Sequence, residues 1–145
     1  MFAALVLAAC GTAPVQRGES PAVSPTQVPA PVQTASTDSV VEFLITSAAT
    51  DFHTHRPPDP VGFRDVRMGH MITPAGEKQY MLCGQFLPAQ GEDKAKWTPF
   101  ATIKTSGYEQ FIGNQAASFC QGKSVVWDKA DDLSSALQNR FDSLR

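Results

Sequence analysis

The segment from Gly11 to Ser36 sets the strictest limit on what this chain can fold into. It is built mainly from Pro, Ala, Val, Ser, Thr and Gln, with five prolines, no aromatic residue, and Arg17 and Glu19 as its only charges. So little apolar surface cannot offset the entropy of ordering the backbone. The composition therefore predicts a disordered, partly polyproline-like tether over 10–37. As a flexible coil such a segment spans about 30 Å, and drawn out as polyproline roughly 80 Å. Folding capacity is thereby confined to 38–145, one domain's worth of chain. That part holds eight of the nine phenylalanines and both tryptophans, enough for a modest core. Acidic and basic residues nearly balance, 14 against 12. No polybasic field directs the protein to nucleic acid or to anionic lipid.

In front of the tether, Phe2 to Ala9 is uncharged and apolar and runs into Leu7-Ala8-Ala9-Cys10. This ending resembles the lipobox of bacterial lipoproteins, where small residues fit the signal peptidase and the cysteine sulfur receives a diacylglycerol. The resemblance implies that 1–9 is a signal peptide and Cys10 the lipidation site, so that the chain meets the membrane through an N-terminal lipid anchor. No Lys or Arg precedes Ala9, whereas secretory leaders carry one, so the natural start is expected upstream. The apolar run is far shorter than the roughly 20 residues of a spanning helix. Gly11 in place of Asp after the cysteine implies, by the same resemblance, sorting to the outer membrane facing the periplasm. With Cys10 assigned to lipid, two cysteines remain, and in an oxidising envelope Cys83 and Cys120 are expected to form a disulfide. Closing that loop contributes about 3–4 kcal/mol through loop-closure entropy.

Within the folded part, Val41, Leu44, Ile45, Ala48, Ala49 and Phe52 recur with helical period behind the caps Thr37 or Asp38. The helix should stop near His55, because Pro57 and Pro58 cannot continue it. Phe63 to Ile72 alternates as a strand with Val66, Met68, His70 and Ile72 on one face. Thr73-Pro74-Ala75-Gly76 reads as a turn into a return strand from Gln79 to Leu87. Further strands are expected at Trp97 to Lys104 and Tyr108 to Ile112, then a helical turn from Gln115 to Gln121. Val125-Val126-Trp127 fits no single element. Asp131 or Asp132 should cap a last helix carrying Leu133, Ala136, Leu137, Phe141 and Leu144. The order predicts an α+β fold: a small antiparallel sheet of three to four strands packed against an N-terminal and a C-terminal helix.

Three motifs bear on chemistry. Asp51-Phe52-His53-Thr54-His55 resembles the metal-binding start of amidohydrolases, but that family needs a (β/α)₈ barrel of roughly 250 residues. Here the string closes a helix, where positions i and i+2 point apart. Histidines near a helix C-terminus, favourable to the dipole when protonated, are the plainer reading. Met68-Gly69-His70-Met71 has thioether and imidazole ligands suited to Cu(I), with Met81 on the partner strand as a further donor. Methionine is also an ordinary core filler. Asp51, His53, His55 and His70 thus stand as weak metal candidates, and no metal or other cofactor is called for. Cys83-Gly84 with a distant histidine has the elements of a thiol nucleophile, but Cys83 falls inside a strand and has a disulfide partner.

Asp59-Pro60, Phe63-Arg64-Asp65-Val66, Cys83-Gly84-Gln85-Phe86, Phe100-Ala101-Thr102-Ile103 and Cys120 together resemble a group of small proteobacterial envelope proteins. These share an acidic-Pro turn, a Phe-Arg strand, a Cys-Gly strand and a distal cysteine. The resemblance spans roughly Pro58 to Cys120 and implies a fold and a disulfide but no reaction. The expectation is a non-enzymatic, lipid-anchored envelope protein that binds an envelope protein partner or supports an assembly. Trp97, Tyr108 and Phe111 are the aromatic candidates for its contact surface. A small Zn- or Cu-binding protein or enzyme, and a hydrolase inhibitor, are the alternatives.

Overall fold

The structure, a computed structural model, describes residues 36–56, 58–91, 95–128 and 132–145. The expected signal peptide, Cys10 and almost all of the expected tether lie outside these residues. Helix α1 (Thr37–Thr54) starts one residue ahead of the expected boundary, capped by Ser36, whose Oγ accepts from the Ser39 N–H at 3.4 Å. Five strands follow: β1 (Pro60–Ile72), β2 (Lys78–Pro88), β3 (Thr98–Lys104), β4 (Tyr108–Ile112) and β5 (Val126–Trp127). Helix α2 (Asn114–Cys120) lies between β4 and β5, and α3 (Ser134–Asp142) closes the chain. The strands form one antiparallel sheet in the order β4-β3-β2-β1-β5. The expected α+β architecture is present, with the apolar run at Val126 resolved as a short edge strand beside Gly69 and His70.

Strand alternation gives the sheet two faces of different character. The first face is covered by α1 and α3. Leu44, Ala48, Ala49 and Phe52 from α1 and Leu137 and Phe141 from α3 meet Phe63, Val66, Met68, Leu82, Phe86 and Phe100 from the strands. Phe52 lies at the centre, its ring centroid 5.4, 5.0 and 5.4 Å from those of Phe63, Phe86 and Phe100. Edge-on and tilted aromatic packing of this kind adds about 0.5–1.5 kcal/mol per pair beyond area burial. Gly84 permits it: a Cβ there would stand 2.7 Å from Val66 Cγ2 and 2.8 Å from a Phe100 ring carbon.

The second face carries a smaller cluster, Met81, Cys83, Ala101, Ile103 and Ala116, with Phe111, Phe119, Val125 and Trp127 packed around it. Helix α2 is attached here by the Cys83–Cys120 disulfide, whose Cα atoms are 5.9 Å apart. The helix has seven residues and no side-chain cap. An isolated helix of that length is unstable in water, so the cross-link and the apolar contacts fix its place.

Candidate functional site

Helix α2 covers the part of the second face around Met81 and Ile103; the remainder belongs to the first half of β1 and the end of β2. Here the register of β1 matters. Arg64 stands opposite Gln85 and Arg67 opposite Cys83, with an irregularity between them. One extra residue against the partner strand is a β-bulge. At its start Asp65 adopts φ 53°, the sole positive φ of a non-glycine among the described residues. Asp tolerates this conformation better than most residues, yet strain of this kind is characteristic of functional positions. The bulge resets the alternation, so Phe63 and Val66 both face the phenylalanine core while Arg64 and Arg67 both emerge on the second face.

Each arginine lies on a tryptophan. The Arg64 guanidinium carbon is 4.3 Å from the centroid of Trp97, and that of Arg67 is 4.2 Å from Trp127. Each indole in turn lies beside a glycine of β1. A Cβ on Gly62 would meet the Trp97 ring at 3.6 Å, an ordinary contact, whereas one on Gly69 would stand 2.8 Å from a Trp127 ring carbon. The motif Gly62-x-Arg64, Asp65-Val66, Arg67-x-Gly69 is thus symmetric in sequence about the bulge, with one tryptophan serving each half. Stacking on an indole immobilises a guanidinium and attracts it by about 0.5–1 kcal/mol at an exposed site.

The two halves differ in their hydrogen bonding. Arg64 donates from Nε and Nη2 to Gln85 Oε1 at 3.0 and 2.7 Å, and its Nε is 3.5 Å from Asp65 Oδ2. Arg67 is exposed and, among the described residues, engages no hydrogen-bond acceptor or carboxylate; Trp127 is its contact. Beside it opens a hollow of about 150 Å³, lined by Asp65, Arg67, Gln85, Gln121, Trp127 and the disulfide among others.

The residues singled out by sequence are distributed otherwise. Asp51 and His55, four apart on α1, do meet, with Oδ1 and Nδ1 3.0 Å apart, and Asp51 Oδ1 also accepts from the Tyr108 hydroxyl at 3.3 Å. His53 is turned away, its Nδ1 3.2 Å from Arg56 Nη2. His70 sits on β1 beside Tyr80, ring centroids 5.7 Å apart, with Nδ1 3.5 Å from Asp128 Oδ1. That is an ion-pair distance rather than a hydrogen bond, and His70 Nδ1 and Asp128 Oδ2 are buried without partners among the described residues. No three His, Cys, Asp or Glu side chains among the described residues are grouped to hold a metal ion. The methionine donors divide between the faces as well. Met81 stands opposite Gly69, so it points to the second face, while Met68 is in the first-face core. Cys83 is in the disulfide and is no thiol nucleophile.

The aromatic candidates also separate. Trp97 lies under Arg64, Phe111 packs on Phe119 with centroids 4.7 Å apart, and Tyr108 reaches across to Asp51. Sequence reasoning gave no binding role to Arg64, Asp65, Arg67, Gln85 or Trp127. The available signal was the spacing of two Gly–Arg pairs at strand period around Asp65-Val66, in a chain with two tryptophans. No family model matches this chain, no curated protein is detectably similar to it, and no solved structure matches it. Among the described residues, no helix is long and apolar enough to cross a membrane.

Proposed function

We propose that this chain is a lipid-anchored envelope protein whose α+β domain is a non-enzymatic binding module. Cys10 carries the acyl anchor, the Pro-rich segment holds the domain away from an outer membrane facing the periplasm, and the domain binds through the second face of its sheet. The anchor rests on the resemblance of Leu7-Ala8-Ala9-Cys10 to a lipobox and on the tether composition behind it. The observation that carries the binding role is the row Trp97–Arg64–Arg67–Trp127 across an uncovered sheet face. Tryptophan and arginine are the residues most enriched where binding energy concentrates, and both arginines are ordered by stacking before a partner arrives.

Two measurements test this. Mass spectrometry of the protein taken from its native membranes should find a mature chain beginning at an acylated Cys10; an unprocessed Met1 with a free Cys10 thiol removes the anchor. A photo-crosslinking side chain at position 85 should yield one discrete adduct in intact cells, lost when Arg64 and Arg67 are both replaced by Gln. An unchanged adduct in that variant, or the same yield from a probe at exposed Glu109, removes the site.

A further inference from the structure

Resting on that reading of the second face, we infer that Arg67 is the recognition group for a ligand carboxylate, seated in the hollow beside Trp127. The contrast between the two halves of the row carries the inference. Arg64 and Arg67 are held alike, each on an indole at about the same distance, 4.3 and 4.2 Å. Arg64 is already supplied with acceptors by Gln85 and Asp65. Arg67 has the same preparation and no acceptor among the described residues. With its guanidinium carbon 4.2 Å over the Trp127 ring, Arg67 is held from one side by the indole, and its planar fork of N–H donors is left for an acceptor. Carboxylate and phosphate both match such a fork with two parallel bonds, and Asp65 in the same hollow disfavours the more highly charged phosphate and leaves the carboxylate.

The surroundings limit the rest of the ligand. Arg67, Asp65 and Gln85 also line an open hollow of about 460 Å³ with Asp132, into which a larger ligand can extend; the hollow of about 150 Å³ beside Trp127 has room for roughly five water volumes, enough for a carboxylate with a short stem. Gln85 and Gln121 border it with amide groups able to donate to a carboxylate or to a neighbouring peptide unit. Asp65 lines the same hollow and disfavours a second negative charge there. A single carboxylate next to an amide, as at a peptide C-terminus or an N-acylated amino acid, fits this pattern.

The full mature chain, titrated at constant ionic strength with N-acetylalanine, tests the proposal through the NMR shifts of the Trp127 indole N–H and the Arg67 Nε–H. Both should move saturably. The uncharged probe N-acetylalaninamide should move neither, and inorganic phosphate should bind at least about fivefold more weakly, because it brings more negative charge beside Asp65. Arg67→Gln should abolish the response and Arg67→Lys weaken it about tenfold, since an ammonium cannot form the two-point contact. Arg140→Gln, at an exposed arginine of α3 on the opposite side of the sheet, should change it less than about twofold. The amide binding as well as the acid, phosphate binding as tightly, or Arg67→Gln retaining the response overturns the assignment. A silent titration with the position-85 cross-link intact overturns the carboxylate alone; loss of both overturns the binding face.

Discussion

On one face of the sheet two helices pack down, and Phe52 of α1 is set among three other phenylalanine rings. On the other, a seven-residue helix is fastened by one disulfide, and the surface it leaves bare carries stacked arginines. The first arrangement is what burial of apolar area produces when nothing else is asked of a face. The second keeps cations, amides and a strained aspartate in reach of solvent, and its scarce apolar contacts are supplemented by a covalent link. On the proposed function, stability and recognition fall on opposite sides of the same strands. Alternation along β1 and β2 allows one sequence to serve both.

The sharpest way to break this contrast is at its centre. Phe52→Ala removes a ring that is 2 % exposed and touches three others, and should lower stability by about 3–5 kcal/mol in denaturant unfolding. Replacing both Cys83 and Cys120 by Ala should cost about 3–4 kcal/mol by opening a loop of 37 residues. The two losses differ in kind. The first should leave no folded sheet to observe at moderate denaturant. The second should first release α2, seen as faster amide exchange confined to Asn114–Cys120. Uniform exchange across the sheet in the double variant contradicts this division of labour.

Two glycines refine the comparison, because each is required by one face. Gly84→Ala drives a methyl into Val66 and Phe100 in the phenylalanine core, and overpacking of that sort costs about 1–3 kcal/mol. Gly69→Ala meets Trp127 at 2.8 Å and the Val126 carbonyl oxygen at 3.0 Å on the edge of the second face. Here the short strand β5 and its indole can shift. The expected stability loss is the smaller of the pair, about 1 kcal/mol, but Arg67 loses its platform. Equal stability losses, or a Trp127 fluorescence spectrum untouched by Gly69→Ala, would remove the asymmetry.

The same asymmetry explains what could be read from the sequence. The first face was legible because it follows burial alone. The period of Leu44, Ala48 and Phe52, the alternation of Val66 and Met68 and the Thr73–Gly76 turn are local signals with one reading each; the expected cap at Asp131 or Asp132 gave way to Leu133, since α3 begins only at Ser134. The cysteine pair followed once the compartment was inferred. The second face was hidden because its organising element is a bulge. A single extra residue at Asp65 decides whether Arg64 and Arg67 share a side, and nothing in a period-2 pattern announces it. The histidines had two readings, a metal motif by spacing and the plainer end of a helix; helical geometry turns His53 toward Arg56 and pairs His55 with Asp51.

The smallest expected effect separates two polar contacts by pH. Tyr108 donates its hydroxyl to Asp51, joining β4 to α1; burial first, then the Asp51 charge and this hydrogen bond, push its pKa above the usual 10.0. A group raised in the folded state contributes stability fully below its unfolded pKa, and that contribution is lost as pH rises through the folded value. Asp132 is the reverse case. Hydrogen bonds from the Ser134 hydroxyl and backbone N–H at the start of α3 hold its pKa below the usual 3.8. Its contribution is present above the unfolded value and lost as pH falls through the folded one. Unfolding midpoints should therefore decline on both limbs, above about pH 10 and below about pH 4. Tyr108→Phe should flatten the alkaline limb alone, since a phenyl ring keeps the packing but cannot ionise. Asp132→Asn should flatten the acid limb alone, because asparagine still accepts the Ser134 N–H but cannot ionise. Asp132 is largely solvated, so its limb should be the shallower of the two. A Tyr108→Phe profile that still falls above pH 10 as steeply as the parent would remove the Tyr108–Asp51 contact as the source of the alkaline limb.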